Sequence, residues 1–339
     1  MKTIARWILL LLGLSLFGWF IHRAGPAEIW AHVRQLGWAA PLVLLPYLVV
    51  YLFDTWGWQL SFGQYAGTPP RFPTLFRVRW AGEAVNNVIP SGYVGGEAVK
   101  AYLLHRRGVP GLTCGTSVVA SKTCQVIAQV AFIGLGALLA LPVLPPDSEA
   151  RHGMIIITLA AFGVVLLLLL LQRRGLFSTV QGVLKTLSLR PKMLERHAAH
   201  LRKLDEQIYR FYRTDRRRFF QTTSVFFLGW LADALEIFVV CHLLGLPLTV
   251  AEAIAIEAFI SVAKAMGIFV PAALGVQESG VVLLFNIFAL PIPLAVTYAI
   301  LRRGRELFYV LVGGMLLYAE GAALRTTLTR AAQEASTSQ

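Results

Sequence analysis

Apolar residues in this chain come in long unbroken runs, not in alternation. The spanning candidates are residues 4–21, 39–60, 111–141, 153–171, 219–243 and 292–318. Met154 to Leu171 carries no charged side chain over 18 residues, close to the length at which a helix crosses hydrocarbon. In lipid a backbone must satisfy its own hydrogen bonds, which leaves helices and closed barrels, and continuous apolar runs select helices. Two further apolar pieces, 80–98 and 251–289, are interrupted by proline and glycine. The pattern predicts an all-α, polytopic integral membrane protein with about six spanning helices and two Pro/Gly-broken re-entrant hairpins.

Composition sharpens this. Of 339 residues, 56% are hydrophobic and 14% charged, against about 25% charged in soluble domains. A soluble or secreted fold is excluded. The net charge of +13 could suggest nucleic acid, but the basic residues lie between apolar runs and form no nucleic-acid-binding motif. They follow the positive-inside pattern. The connector 172–218 holds thirteen Lys/Arg against Glu195, Asp205, Glu206 and Asp215. Arg71, Arg77, Arg79, Lys100, Arg106, Arg107, Arg325 and Arg330 fall on the same side, with only Arg23, Arg34 and Arg151 opposite. The expectation is a multi-pass protein of the cell (inner) membrane with both termini cytoplasmic. Ile4 to Ile21 reads as a retained signal anchor, since no small-residue cleavage site follows it.

Within 176–217, Leu194, Leu201, Leu204, Ile208 and Phe211 recur at helical spacing among Arg and Lys. That fits an amphipathic helix on the membrane face touching anionic headgroups; a solvated connector helix fits equally well. Residues 331–339 read as a disordered polar tail. Cys114, Cys124 and Cys241 sit in apolar helices, as small buried residues and not a disulfide framework. His197 and His200 lie in the basic connector as solvated side chains, so neither a metal nor a cofactor is expected.

The chain also repeats itself. Sliding it along its own length until Pro90 falls on Pro271 brings Glu97 onto Glu278, Pro110 onto Pro291 and Lys122 onto Arg303. Residues 1–330 then form one transmembrane domain, with repeat one at about 39–141 and repeat two at about 219–322. The charge asymmetry orients the two copies oppositely, and broken helices at matching places in inverted repeats point to a transport site. Pro90, Gly95, Gly96, Pro271 and Gly275 are the candidate hinges, because proline removes a donor and glycine admits conformations closed to other residues. Lys122 and Arg303 each lie twelve residues past a proline, roughly 18 Å along a helix and near the bilayer centre. A charge there needs a partner or a polar cavity. Glu97 and Glu278, which precede their basic residues by the same interval, are the expected partners. Asn86, Asn87 and Ser91 beside the first break, and Arg302 beside Arg303, complete the candidate substrate-binding set. Structural ion pairs would account for the same charges without transport. Asp54, Asp233, Glu236 and Glu257 are further acids in apolar surroundings, any of which could carry a proton.

The segment Asn-Asn-Val-Ile-Pro-Ser-Gly-Tyr-Val-Gly-Gly-Glu-Ala-Val-Lys-Ala-Tyr-Leu-Leu (86–104), the helix with Ser117 and Lys122, and Val-Pro-Ala-Ala-Leu-Gly-Val-Gln-Glu (270–278) together resemble one family. It is the flippase-like transmembrane domain of lysylphosphatidylglycerol synthases and their stand-alone relatives, over about residues 4–320. Gly-Val-Gln-Glu-Ser-Gly and Leu-Arg-Arg-Gly-Arg-Glu-Leu (301–307) look most like its hopanoid-biosynthesis-associated branch. The resemblance implies movement of a polar or anionic lipid (phospholipid, aminoacylated lipid or hopanoid type) between leaflets, with membrane lipids as partners. Relatives often carry Arg where this chain has Lys122. The chain ends at 339 without a soluble aminoacyl-transferase domain, so lipid aminoacylation by this chain alone is not expected. Two alternatives stay open: a membrane-embedded lipid-modifying enzyme, for which no nucleophile elbow or zinc motif is found, and a scaffold of a lipid-synthesis complex. No catalytic residue is assigned, and a homodimer is compatible with the sequence.

Overall fold

The computed structural model describes residues 15, 18, 19, 21, 22, 25–63, 69–89, 94–173, 175, 179, 198–268 and 270–337, with backbone alone at 173, 198–201, 271 and 322–337. The described residues are helical and contain no strand. The first predicted span, 4–21, lies almost wholly outside them.

A short helix α1 (Pro26–Leu36) and a 3₁₀ turn lead into α2 (Leu44–Leu60). Then come α3 (Phe72–Val88), α4 (Val94–His105), α5 (Gly111–Ala140) and α6 (Glu149–Arg173). The connector forms α7 (Ala198–Thr214), followed by α8 (Arg216–Leu243), α9 (Val250–Met266), a 3₁₀ turn at Pro271–Ala273, α10 (Val276–Ile287) and α11 (Ile292–Thr337). Local chemistry sets several boundaries. Thr249 and Glu252 form a reciprocal capping box that starts α9. Pro26 and Pro73 occupy first-turn positions, where a missing N–H costs nothing.

Four described stretches are long and apolar enough to cross a membrane: Pro26–Leu60, Gly111–Ala140, Glu149–Gln172 and Arg216–Leu243. The predicted span 292–318 lies within α11, where Arg302, Arg303, Arg305 and Glu306 interrupt its apolar character. Helix α11 continues to Thr337, into the tail read from sequence as disordered. Helix α6 presents Ile156, Leu159, Phe162 and Val164 outward, each at least half exposed, as a lipid-facing helix does.

The shift that lays Pro90 on Pro271 also lands α2, α3, α4 and α5 on α8, α9, α10 and α11, the start of α5 falling on the start of α11. The packing repeats as well: α3 lies on α11 as α9 lies on α5, and α2 contacts α5 as α8 contacts α11. The central α2–α8 pair is antiparallel, because Gly57 abuts Phe226 while Asp54 abuts Gly229. The two copies are therefore inverted. Small residues bring these helices together, as membrane helices require in the absence of a hydrophobic drive between them. Gly136 seats against Ala258, and Gly313 against Ala84 and the Trp80 carbonyl.

Helices α4 and α10 have twelve residues each, roughly 18 Å in length and short of a hydrocarbon core of about 30 Å. Each folds back on its predecessor, α4 on α3 and α10 on α9, in two hairpins. At the α3–α4 crossing, a Cβ on Gly96 would collide with the Gly82 carbonyl oxygen and with Asn86 Oδ1. Gly96 thus serves close approach inside a helix, and Gly95 is likewise helical, so neither is a hinge. Gly96→Val should destabilise the protein by about 1–3 kcal/mol through overpacking. Thermal unfolding in detergent measures this, with Gly304→Ala, whose Cβ meets nothing within 4 Å, as the control that should show no loss of stability.

Candidate functional site

The first hairpin gathers a chain of charges at the α3–α4 crossing. Lys100 Nζ donates to Glu83 Oε1 at 2.6 Å and to Glu97 Oε1 at 2.8 Å. Arg79 pairs with Asp54 of α2 and approaches Glu83 at 3.6 Å. Gln125 of α5 donates to Asp54 at 3.3 Å and accepts from Lys122 at 3.1 Å. Asn86 Oδ1 accepts from the Gly96 N–H at 2.8 Å, satisfying an orphan donor in the first turn of α4. Asn87 donates to the Glu83 carbonyl at 2.9 Å.

Two expectations need correction here. Glu97 pairs with Lys100 and not with Lys122, because Lys100 lies one helical turn away on the same face. Arg79 and Lys100, assigned from sequence to a cytoplasmic loop, are 6% and 2% exposed inside the bundle. Burial is sustained because each finds a carboxylate. Pro90 and Ser91 lie outside the described residues.

In the second hairpin the expected pair forms. Arg303 Nε donates to Glu278, and its Nη1 donates to Glu306 at 2.5 Å and to the Ala272 carbonyl at 2.8 Å. Its Nη2 reaches the Ala273 carbonyl at 3.3 Å. Glu278 also accepts from the Gly275 N–H at 2.7 Å. Ala272, Ala273 and Gly275 have φ of 52°, 50° and 81°, so the break at Pro271 is a left-handed turn held by one guanidinium. Gly275 supplies the conformation expected of a hinge, and Arg303 is the brace across it. Gln277 donates to Glu306 at 3.2 Å, and Lys264 stands 4.0 Å from it.

Behind this layer the charges are sealed. Arg302 makes two parallel bonds to Glu257, at 2.7 and 2.8 Å, and a third to the Tyr298 hydroxyl at 2.8 Å. Arg302 is 1% and Glu257 0% exposed, so Arg302 is a lock between α9 and α11, closed to any substrate. Arg305 faces Glu236 at 3.1 Å and covers the Tyr47 ring at 3.6 Å. Tyr47, Tyr51, Trp80 and Tyr309 stack edge and face beside it. In contrast, the side chains of Glu83, Glu97, Lys264 and Arg303 keep 18%, 17%, 26% and 16% of their surface exposed. These four charged side chains keep part of their surface open, unlike the sealed pairs behind them.

Sequence reasoning did not place Glu83, Lys100 and Gln125 in the candidate site. Their signals were available: Arg79 and Glu83 are spaced i,i+4, Glu97 and Lys100 i,i+3, and Gln125 falls on Glu306 when the repeats are superposed.

The family described as Lysylphosphatidylglycerol synthase TM region matches residues 6–314. The chain belongs to that family. Membership places it among membrane proteins of lipid handling. No curated protein matches the chain.

Proposed function

We propose that this family member is a lipid flippase, or lipid transporter, which carries a polar or anionic headgroup between leaflets while the tail stays in the bilayer. One observation carries the reading. Each hairpin of the inverted repeat brings a partly exposed ionic group to the corresponding position, Glu83 of α3 and Lys264 of α9, with Glu97 beside the first and Arg303 of α11 beside the second. Both signs of charge are present, so a zwitterionic or anionic headgroup would exchange partners and never meet an uncompensated site. The antiparallel α2–α8 pair supplies an axis about which two similar halves can rock. On this reading the protein resides in the cell membrane with both termini cytoplasmic, and its partners are membrane lipids.

Leaflet exchange of fluorescent phospholipids in liposomes tests it. Wild-type protein should accelerate exchange, and Glu97→Gln and Glu278→Gln should each stop it while the protein remains folded. If wild type moves no lipid in a panel that includes anionic, aminoacylated and polar hopanoid types, transport is rejected.

A further inference from the structure

The apolar stripe of helix α7 fitted a membrane face or a solvated connector equally well, and the structure gives its described part another use. Leu204, Ile208 and Phe211 are 8%, 2% and 2% exposed, with Leu204 against Gly115 of α5 and Phe211 beside Phe219 of α8. Gln207 accepts from Thr116 at 2.7 Å. With that face taken by protein, the cationic face, including Arg210, Arg213 and the adjoining Arg216 and Arg217, is left outward.

Between α7, the end of α6 and the start of α8 lies a cavity of about 590 Å³, within the usual range for small-molecule sites. Its lining is divided. Tyr209, Tyr212, Arg213, Arg216 and Gln172 are polar, whereas Leu169, Phe219 and Phe220 are apolar. The apolar part adjoins the outward surface of α6, where Leu166, Leu167 and Leu170 are 60%, 57% and 47% exposed. Among the described residues, neither Arg213 nor Arg216 has a carboxylate partner, since Glu206 pairs with Arg210 and Asp215 with Arg218. Arg213 is steadied by the Tyr209 hydroxyl and lies 5.7 Å over its ring. The Tyr212 hydroxyl is buried near Thr123 and Gln172 but makes no well-aligned hydrogen bond. Oε1 of Gln172, a residue 4% exposed, has no hydrogen-bond partner either. Buried polar atoms without partners are rare, and a cavity wall is where a ligand can supply what they lack. By contrast, the groove between α5 and α6 is lined almost wholly by apolar residues such as Leu135, Leu159 and Phe162, so it offers nothing to distinguish one lipid tail from another.

We propose that this cavity docks an anionic phospholipid, its phosphodiester held by Arg213 and Arg216 and an acyl chain lying along Leu169, Phe219 and Phe220. Guanidinium groups suit the planar, two-pronged recognition of phosphate oxygens. A lipid phosphate and a free phosphate share that chemistry; the apolar wall and its continuity with the lipid-facing side of α6 favour the lipid. The site stands apart from the hairpin charges and does not depend on the protein moving lipid.

Native mass spectrometry of delipidated full-length protein, titrated with equimolar phosphatidylglycerol and phosphatidylcholine, tests the assignment. Wild type should retain phosphatidylglycerol over phosphatidylcholine by about tenfold: both present the phosphodiester, but only phosphatidylcholine brings a choline cation against Arg213, Arg216 and the neighbouring Arg210 and Arg217. Arg213→Gln with Arg216→Gln should reduce retention to the phosphatidylcholine level, with Tyr212→Phe intermediate and Arg106→Gln unchanged. Equal retention of the two lipids by wild type overturns the proposal, as does full retention by the double variant. Inorganic phosphate that binds as tightly as phosphatidylglycerol overturns the lipid and leaves an anion site. Glu278→Gln should keep its phosphatidylglycerol, so that loss of leaflet exchange and loss of docking read out separately.

Discussion

Glu257→Gln should destabilise this protein by about 3–5 kcal/mol, the cost of breaking one side of a sealed ion pair. Glu257 is 0% and Arg302 1% exposed, and their two bonds of 2.7 and 2.8 Å are shared with the Tyr298 hydroxyl. The amide keeps the shape of the carboxylate but removes its charge, leaving a guanidinium buried between α9 and α11 without that counter-ion. Replacing both partners with apolar residues of similar volume, Glu257→Leu with Arg302→Met, should recover most of the loss, because neither charge then needs to leave water. Thermal unfolding in detergent checks both. A shift below about 3 °C for Glu257→Gln, roughly 1 kcal/mol on the scaling for large domains, would show that the pair is not the lock described above.

Arg303→Lys is expected to cut leaflet exchange by about a hundredfold, the scale that displacement of a functional group by about 1 Å can reach, although formal charge is retained. Arg303 uses a planar fork to hold Glu278, Glu306 and the Ala272 and Ala273 carbonyls together. A lysine ammonium is a compact point charge and cannot meet partners spread across that plane. Ala272 and Ala273 sit at positive φ, a conformation that costs of order 1–3 kcal/mol per residue and persists only where neighbours over-determine it. Without the fork the turn at Pro271–Ala273 relaxes and the hairpin tip loses its register with α11. Increased proteolysis or hydrogen exchange at residues 268–279 should accompany the lost exchange. The matching change in the first repeat, Lys122→Arg, should be mild, because the bond from Lys122 to Gln125 needs one N–H, which a guanidinium also supplies. Wild-type exchange by Arg303→Lys would remove the brace from the account of transport.

The asymmetry between the repeats explains which residues could be read in advance. Glu278 and Arg303 were paired from spacing and repeat position, and they do pair. The same logic joined Glu97 to Lys122 and failed, because Lys100 intercepts Glu97 within α4 and is anchored by Glu83 of α3. Position 281, which corresponds to Lys100, is Val, so α10 offers Glu278 no lysine one turn on. Arg79 and Lys100 were counted as loop charges since each lies near the end of an apolar run. Only the crossing of α3 with α4 and α2 shows them buried against Glu83 and Asp54.

What the sequence determined by itself is what hydropathy and backbone chemistry encode locally: helices long enough for a bilayer, breaks at proline and glycine, and a second half that copies the first when Pro90 is laid on Pro271. Those signals survive without knowledge of neighbours, because a helix answers to its own hydrogen bonds and its own apolar faces. The tertiary structure decided partnership. Small residues such as Gly82, Gly96, Gly136 and Gly313 let helices approach closely enough for particular charges to meet. That meeting made Arg302 a sealed lock and Arg303 the brace of a turn, and it directed the apolar stripe of α7 onto α5 and α8 and not onto lipid. An ion pair depends on distances of a few ångströms between segments far apart in the chain, and those distances exist only once the helices have packed.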